Sequence, residues 1–115
     1  MLNHMVEKAV QVTAVFHALA HDARRDMLER LSIGELTVGD LAAPLEMSLA
    51  AASKHVQVLE RAGLLCRRVS GTRHICRLAP APLASAAAWL VHYEHFWNER
   101  LDALTDLFIE PRPPS

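Results

Sequence analysis

The fold is decided by residues 48–63, which read SLAAASKHVQVLERAG in one-letter code. Ser48 is a favourable N-cap, apolar side chains then recur at helical spacing, and Gly63 supplies a stop signal. These features predict a helix from Ser48 to about Ala62 that buries one of its faces. The residues on the predicted buried face are Leu49, Ala52, Val56 and Leu59.

A short helix is predicted just before this segment. Thr37 is a good N-cap for residues 38–43, and Pro44 ends that helix because proline disfavours helical geometry in the residue before it. Only residues 44–47 then connect the two helices. Two helices with such a short connection, the second with a polar outer face, are the pattern of a helix-turn-helix.

Two further helices are predicted closer to the N-terminus. Apolar side chains recur near helical spacing over residues 6–19. The pair His21-Asp22 then offers an N-cap for a second helix through Leu31, and Gly34 follows as a stop signal. We expect the pair Arg24-Arg25, at the start of this second helix, to have a structural role or to fix a phosphate rather than to read sequence.

The period of the sequence changes after Gly63, where two short strands are predicted. Residues 64–69 and 72–78 flank Ser70-Gly71, which is a two-residue turn signal. The two strands carry four arginines, namely Arg67, Arg68, Arg73 and Arg77. The sequence therefore predicts a basic hairpin, or wing, over residues 64–78.

Charge is distributed unevenly along the 115 residues. Residues 1–47 carry four basic and seven acidic side chains, residues 48–79 carry six and one, and residues 80–115 carry two and five. The formal charges of the three segments are therefore −3, +5 and −3, which sum to −1. A concentrated basic segment in an otherwise acidic chain is typical of a phosphate-binding surface. An ordinary solvated surface is the alternative.

The last predicted helix spans residues 83–109 and has a wide apolar and aromatic face. In a small domain such a surface needs a partner, and pairing with the first helix and with the same helix of a second copy satisfies it. Folding back onto its own domain is the alternative. The predicted homodimer interface contains Val12, Phe16, Trp89, Tyr93, Phe96, Trp97, Leu101 and Leu104.

Four segments carry a family resemblance: FHALAHDARR at residues 16–25, ELTVGDL at 35–41, SKHVQVLERAGL at 53–64 and GTR at 71–73. Together they resemble the ArsR/SmtB family of bacterial transcriptional repressors, over roughly residues 6–109. The resemblance implies a mostly α winged helix-turn-helix of order α-α-α-α-β-β-α. It also implies a dimer that binds an operator and leaves it when a signal arrives.

Length and composition agree with one small helical domain. A chain of 115 residues buries a single core, and 51% hydrophobic but only 5% aromatic residues suit packed helices. We expect this domain to span residues 1–110, followed by a disordered Pro-rich tail at 111–115. No signal-peptide pattern opens the chain and no apolar stretch reaches membrane-spanning length, so we expect a cytoplasmic protein without membrane contact.

The outer face of the helix at 48–62 has side chains suited to reading double-stranded DNA. Small residues let the backbone approach the major groove, Gln57 can make a bidentate contact with adenine, and Lys54 or Ser53 can hold a phosphate or a guanine edge. In the wing, Arg68 and Arg73 lie nearest the turn and are expected to contact the DNA backbone or minor groove. An ordinary exposed helix face is the alternative. The predicted contact residues are Ser48, Ala51, Ser53, Lys54, His55, Gln57, Arg68 and Arg73.

The metal sites that the resemblance implies are incomplete. The arsenic-sensing branch has a cysteine pair where this chain has Thr37 and Gly39. The zinc-sensing branch binds its metal with an upstream aspartate and with histidine and glutamate ligands on the final helices. This chain lacks the aspartate and offers only His92, His95 and Glu99. These three can share one helix face and bind a metal across a dimer, so they remain metal candidates, with packing or solvent exposure as the alternative. We predict no cofactor.

Cys66 and Cys76 are candidates for redox control of the wing. With Ser70-Gly71 as the turn, Cys66 opposes Ile75, so the two thiols lie on opposite faces and form no bridge. A three-residue loop would shift the register and set the thiols directly opposite. Nearby arginines would make a thiol more reactive, whereas buried thiols are inert.

No enzymatic site is apparent in the sequence. It has no Gly-rich phosphate loop, no complete metal set and no motif that activates a nucleophile. The sequence predicts a DNA-binding transcriptional regulator, a homodimeric repressor of a palindromic operator released by an unknown signal. A thiol-redox or metal-responsive variant of this repressor is one alternative, and a winged-helix protein-interaction module without specific operator binding is another.

Overall fold

The computed structural model describes residues 2–108, and the side chains of residues 11–107. This part of the chain forms a winged helix-turn-helix, as predicted, with a three-stranded antiparallel sheet of order β1-β3-β2. The elements are α1 (Leu2–Leu19), α2 (Asp22–Leu31), β1 (Leu36–Thr37), α3 (Val38–Ala42), a 3₁₀ turn (Ala43–Leu45), α4 (Leu49–Arg61), β2 (Leu65–Ser70), β3 (Arg73–Leu78) and α5 (Ala81–Phe108).

Side-chain caps fix the starts of the three central helices where the sequence predicted them. His21 caps α2 through Nδ1. Thr37 and Asp40 form a capping box at α3, in which each side chain accepts the other's backbone N–H. Hydrogen bonds to the Asp40 carboxylate from the backbone and the side chain of Thr37 hold the pKa of Asp40 below its ordinary value. Ser48 caps α4, because its hydroxyl oxygen accepts from the backbone N–H of Ala51 at 3.1 Å.

The core lies where α1 to α4 meet the sheet and the start of α5. Its largest fully buried side chains are Val15, Met27, Leu41, Val56, Leu59, Leu64, Leu65 and Cys76. On α4, Ala52, Val56 and Leu59 are buried as predicted, but the assignment of Leu49 to this face is wrong. Leu49 is 61% exposed because it lies in the first turn of α4 and lines a cleft beside the wing.

The turn of the wing lies one residue later than predicted. Ser70 pairs with Arg73, so the turn residues are Gly71-Thr72 rather than Ser70-Gly71. Gly71 has a φ of 63° and occupies the first of the two turn positions. That is the position where type II′ turns place glycine, because a left-handed φ is strained in other residues.

The strand β1 was not predicted from the sequence. Its two residues, Leu36 and Thr37, pair with Cys76 and Ile75 of β3. Two residues are too few to show the alternating pattern of a strand, and the partner strand lies far along the chain. The pairing ties the start of α3 to the wing.

The helix α5 extends away from the rest of the domain. It packs against α1 near its start, and every side chain from Ala87 to Leu107 is exposed. A helix of 28 residues is about 42 Å long, which accounts for overall dimensions of 70 × 40 × 21 Å. The predicted end of this helix at Ile109 and the tail at 111–115 lie outside the described residues. No helix within residues 2–108 is long and apolar enough to cross a membrane.

Candidate nucleic-acid interface

The start of α3, the first half of α4 and the wing enclose one open cleft of about 430 Å³. Two of the predicted DNA contacts line this cleft, Ser53 from α4 and Arg73 from the wing. The full lining is Thr37, Val38, Gly39, Leu49, Ser53, Arg67, Thr72, Arg73 and His74. The fold therefore brings the predicted reading helix and the predicted wing to a single surface.

Along α4, the predicted contact residues differ in their exposure. Ser48, Lys54 and Gln57 are exposed, whereas Ala51 and Ser53 are half-buried. Lys54 and Gln57 are three residues apart and share one face of the helix. A cation and an amide on one exposed face suit contacts with a phosphate and with a base edge.

His55 lies apart from this exposed set. Its ring is half-buried, with Nδ1 3.2 Å from Nη1 of Arg24 and its centroid 4.5 Å from that of His21. Burial, followed by repulsion from His21 and Arg24, lowers the pKa of His55. The structure thus places this residue at the back of α4, against the junction of α1 and α2.

Arg24 and Arg25 cap the end of α1, which confirms their structural role. The buried Arg24 donates from Nε to the Ala18 carbonyl at 2.7 Å and from Nη2 to the His17 carbonyl at 3.1 Å. Arg25 donates to the Leu19 carbonyl at 2.7 Å. The last carbonyls of a helix lack partners within the helix and carry partial negative charge, so two guanidinium groups stabilise this end.

Two of the four wing arginines are held by acidic side chains. Arg68 Nη1 lies 2.8 Å from Glu35 Oε1, and Arg67 Nη2 lies 2.9 Å from Glu60 Oε1. The hydrogen bond between Arg68 and Glu35 raises the pKa of Arg68 and lowers that of Glu35. Arg73 is exposed beside the cleft. Sequence reasoning missed Glu35 as part of this surface, although it lies within one of the segments that resemble the family.

The predicted interface residues lie along α1 and α5. Phe16 packs edge-on against Trp89 with 5.6 Å between centroids, and the ring of Trp89 stacks on that of Tyr93 at 4.7 Å. Phe16 and Val12 also line a groove of about 640 Å³ between the two helices. The large side chains that are still 41–53% exposed are Trp89, Leu90, Tyr93, Phe96, Trp97, Leu101 and Leu104.

The three metal candidates on α5 do not form one cluster. His95 Nε2 lies 3.3 Å from Glu99 Oε1, as an exposed contact one turn apart. Within the described part of the chain, no three histidine, cysteine, aspartate or glutamate side chains lie close enough to hold a metal ion. The proposed set of His92, His95 and Glu99 is therefore not supported by the geometry of a single chain.

The two thiols are free and lie on opposite faces of the wing. Cys66 pairs with Arg77 and Cys76 pairs with Arg67, so both registers considered from the sequence are wrong. The separation onto two faces nevertheless holds, because side chains alternate along a strand. Burial raises the pKa of the Cys76 thiol, which makes it less reactive.

Comparison with known proteins agrees with this geometry. A family model described as a helix-turn-helix domain matches residues 19–68. The HTH-type transcriptional regulator Rv2034 of Mycobacterium tuberculosis is 40% identical over 92 residues, which cover 80% of this chain and 83% of that protein.

Two solved structures resemble most of this arrangement. The crystal structure of the ArsR family transcriptional regulator RHA00566 has 34% sequence identity and a TM-score of 0.73, covering 78% of this chain and 93% of that one. The homodimeric winged helix-turn-helix DNA-binding domain Mb0332 of Mycobacterium bovis has 30% identity and a TM-score of 0.60, covering 82% and 86%.

Fold and site define a winged helix-turn-helix transcriptional regulator that binds DNA. Within that class, the chain belongs to the ArsR family. Family and fold are those of regulators and not of enzymes.

Proposed function

We propose that the chain is a cytoplasmic, homodimeric repressor that binds a palindromic operator through α4 and the wing. The observation that carries this proposal is the cleft at which α4 meets the wing. Both elements belong to residues 48–79, the basic segment of the chain, which has a charge of +5. A site of this shape and charge fits a helix in the major groove with the hairpin against the adjacent backbone.

Each contact residue has a role in this proposal. Gln57 reads a base edge in the major groove, and Lys54 holds a phosphate or a guanine edge. Arg73 binds the DNA backbone or the minor groove from the wing. Arg68 makes the same kind of contact after its ion pair with Glu35 breaks. Ser48, Ala51 and Ser53, at the start of α4, let its backbone approach the groove closely.

Dimerisation follows from the exposed face of α1 and α5. A row of aromatic and leucine side chains that project into solvent on one long helix favours a second copy of the same chain. The similarity to Mb0332, a homodimeric domain, supports the same assembly. In such a dimer two copies of α4 read half-sites about 34 Å apart, which requires a palindromic operator.

The experiment that tests this function measures fluorescence anisotropy of the purified chain with its own upstream promoter fragment and with a scrambled duplex at fixed salt. We expect a preference of about 10³-fold or more for the promoter. Transcription in vitro from that promoter should fall when the protein is added. Parallel titrations with and without reductant and zinc identify the class of signal.

Equal and weak binding to both duplexes would contradict operator recognition. That result would favour a winged-helix module that binds other proteins. Preferential binding with increased transcription would instead support an activator.

A further inference from the structure

His55 joins α4 to the junction of α1 and α2. Its Nδ1 lies 3.2 Å from Nη1 of Arg24, and its ring packs against that of His21. Arg24 cannot move freely, because it also donates to the carbonyl oxygens of Ala18 and His17. The half-buried ring therefore attaches the reading helix to a guanidinium that α1 holds in place.

The guanidinium fixes the protonation state of this ring. Arginine has only N–H donors, so Nδ1 of His55 must accept and the ring proton must lie on Nε2. His21 is not constrained in this way, since the backbone N–H of Ala23 lies 3.1 Å from its Nδ1 but also donates to Asp22 Oδ1 at 2.8 Å. Nδ1 of His21 lies 3.1 Å from the Asp22 carboxylate, with which it forms an ion pair only when protonated.

Protonation of His55 opposes this arrangement. A protonated Nδ1 turns a second donor toward Arg24, and the new cation lies beside both the guanidinium and the His21 ring. Asp22 supplies the opposing negative charge. Because burial and these neighbours lower the pKa of His55 from its ordinary 6.5, the contact is still intact at pH 6.5 and is lost as the pH falls through the lowered pKa.

We propose that His55 is a positioning residue for DNA recognition: its neutral ring accepts from Arg24 and sets the placement of α4, and acidification breaks this contact and weakens operator preference. The inference rests on the proposed DNA-binding function. Lys54 and Gln57 flank His55 on the same helix, so a displacement of α4 moves both contact groups relative to the bases. Recognition groups act well only when their supporting contacts hold them in place.

The test compares the full chain with its His55→Leu and His55→Asn variants between about pH 5.5 and about pH 8 at fixed salt. Leucine removes the acceptor, whereas asparagine retains a neutral carbonyl oxygen. Anisotropy gives the ratio of promoter to scrambled affinity, and circular dichroism checks that each variant is folded. The ratio cancels the general gain in DNA affinity that other protonated histidines cause in acid.

We expect the parent to lose about tenfold or more of its promoter preference in acid, and His55→Leu to lose as much already at neutral pH. His55→Asn should keep more of the preference and show no fall in acid. The matched control is His92→Gln, on the exposed face of α5 and outside the cleft, which should retain the parental fall. Long-range ¹H–¹⁵N spectra of the parent should show His55 with its proton on Nε2.

The outcomes separate this inference from the function on which it rests. A parent whose promoter preference is constant with pH, or an Nδ1–H tautomer of His55, would overturn the inference and leave the proposed function standing. A well-folded His55→Leu variant with parental preference would do the same. A parent without promoter preference at neutral pH overturns both. If His55→Leu is poorly folded, the inference is tested by the pH dependence of the parent's promoter preference and by the tautomer of His55 in the parent.

Discussion

Glu35 Oε1 lies 2.8 Å from Arg68 Nη1, so an acidic residue just before β1 holds one of the two wing arginines nearest the turn. Both side chains are about half exposed, at 45% and 58%. A phosphate that binds Arg68 must compete with this carboxylate. We therefore expect the ion pair to reduce binding to any duplex, whatever its sequence.

Replacing the carboxylate tests this competition. Glu35→Gln should tighten binding to promoter and scrambled duplex alike, because Arg68 is released and a negative charge is removed. If the released guanidinium binds one more phosphate, the slope of log affinity against log salt steepens by about 0.9. Anisotropy at several salt concentrations measures both quantities.

The control for this change is Glu29→Gln, which removes the same charge from an exposed position on α2 and should have a smaller effect. An additional Arg68→Ala substitution should abolish the gain. Weaker binding by Glu35→Gln would mean that the ion pair orients Arg68 for DNA instead of withholding it.

Arg73 and Gln57 should affect DNA binding in different ways. Arg73→Ala should weaken binding to both duplexes and flatten the salt slope by about 0.9, because a phosphate contact is lost whatever the sequence. Gln57→Ala should mainly weaken promoter binding, by about 1–3 kcal/mol, because a base contact is lost. Arg73→Lys should retain most of the salt slope. If both alanine variants bind like the parent, the assignment of these two residues to the interface is wrong.

The fold was predictable where its signals are local. Ser48 and Thr37 cap helices that begin at the next residue, and the arginines of the wing belong to two strands that are neighbours in the sequence. The strand at Leu36–Thr37 was not predictable, because its partner Cys76 lies elsewhere in the sequence and two residues show no period. The turn was misplaced because Ser70-Gly71 and Gly71-Thr72 both offer a glycine, in second or in first position.

The site was predictable as a surface but not in its internal contacts. Helical spacing predicted that His55 shares the outer face of α4 with Lys54 and Gln57. Periodicity gives the direction of a side chain but not the residues that it contacts. The contact of His55 with Arg24 joins residues 31 positions apart, and that of Glu35 with Arg68 joins residues 33 apart. Such pairs depend on how the helices pack, which a single sequence does not show.

Gly63 should be intolerant of a side chain. It follows the end of α4 with a φ of 77°, and a Cβ there would lie 3.3 Å from Cγ of Pro82. Its N–H donates to the Glu60 carbonyl while that of Leu64 donates to the Leu59 carbonyl, which is a Schellman motif. Because a left-handed φ costs other residues about 1–2 kcal/mol, Gly63→Ala should destabilise the fold by at least that amount.

Thermal unfolding at equal protein concentration measures this effect, and a fall in Tm of several degrees is expected. The matched control is Gly34→Ala, since a Cβ at that position meets no atom within 4 Å and its φ is not left-handed. Gly34→Ala should leave Tm unchanged or slightly raised. Equal Tm values for the two variants would contradict the importance of the turn at Gly63.

A charge on the outer part of α5 should break the proposed homodimer. Leu104 is 47% exposed and lines an apolar groove with Phe96 and Trp97, so Leu104→Glu would place a carboxylate inside the interface, where burial without a partner is costly. Sedimentation should then show the 12.8 kDa chain in place of a species of twice that mass. Operator affinity should fall about 10²-fold or more, because a monomer engages only one half-site.

The matched control for dimerisation is Ile33→Glu. Ile33 is 88% exposed in the loop between α2 and β1, so the same kind of change there should leave the mass and the operator affinity at parental values. A Leu104→Glu variant that remains dimeric would show that the outer part of α5 is not the contact surface. The interface would then be confined to the groove between α1 and the start of α5, where Trp89→Glu is the corresponding test.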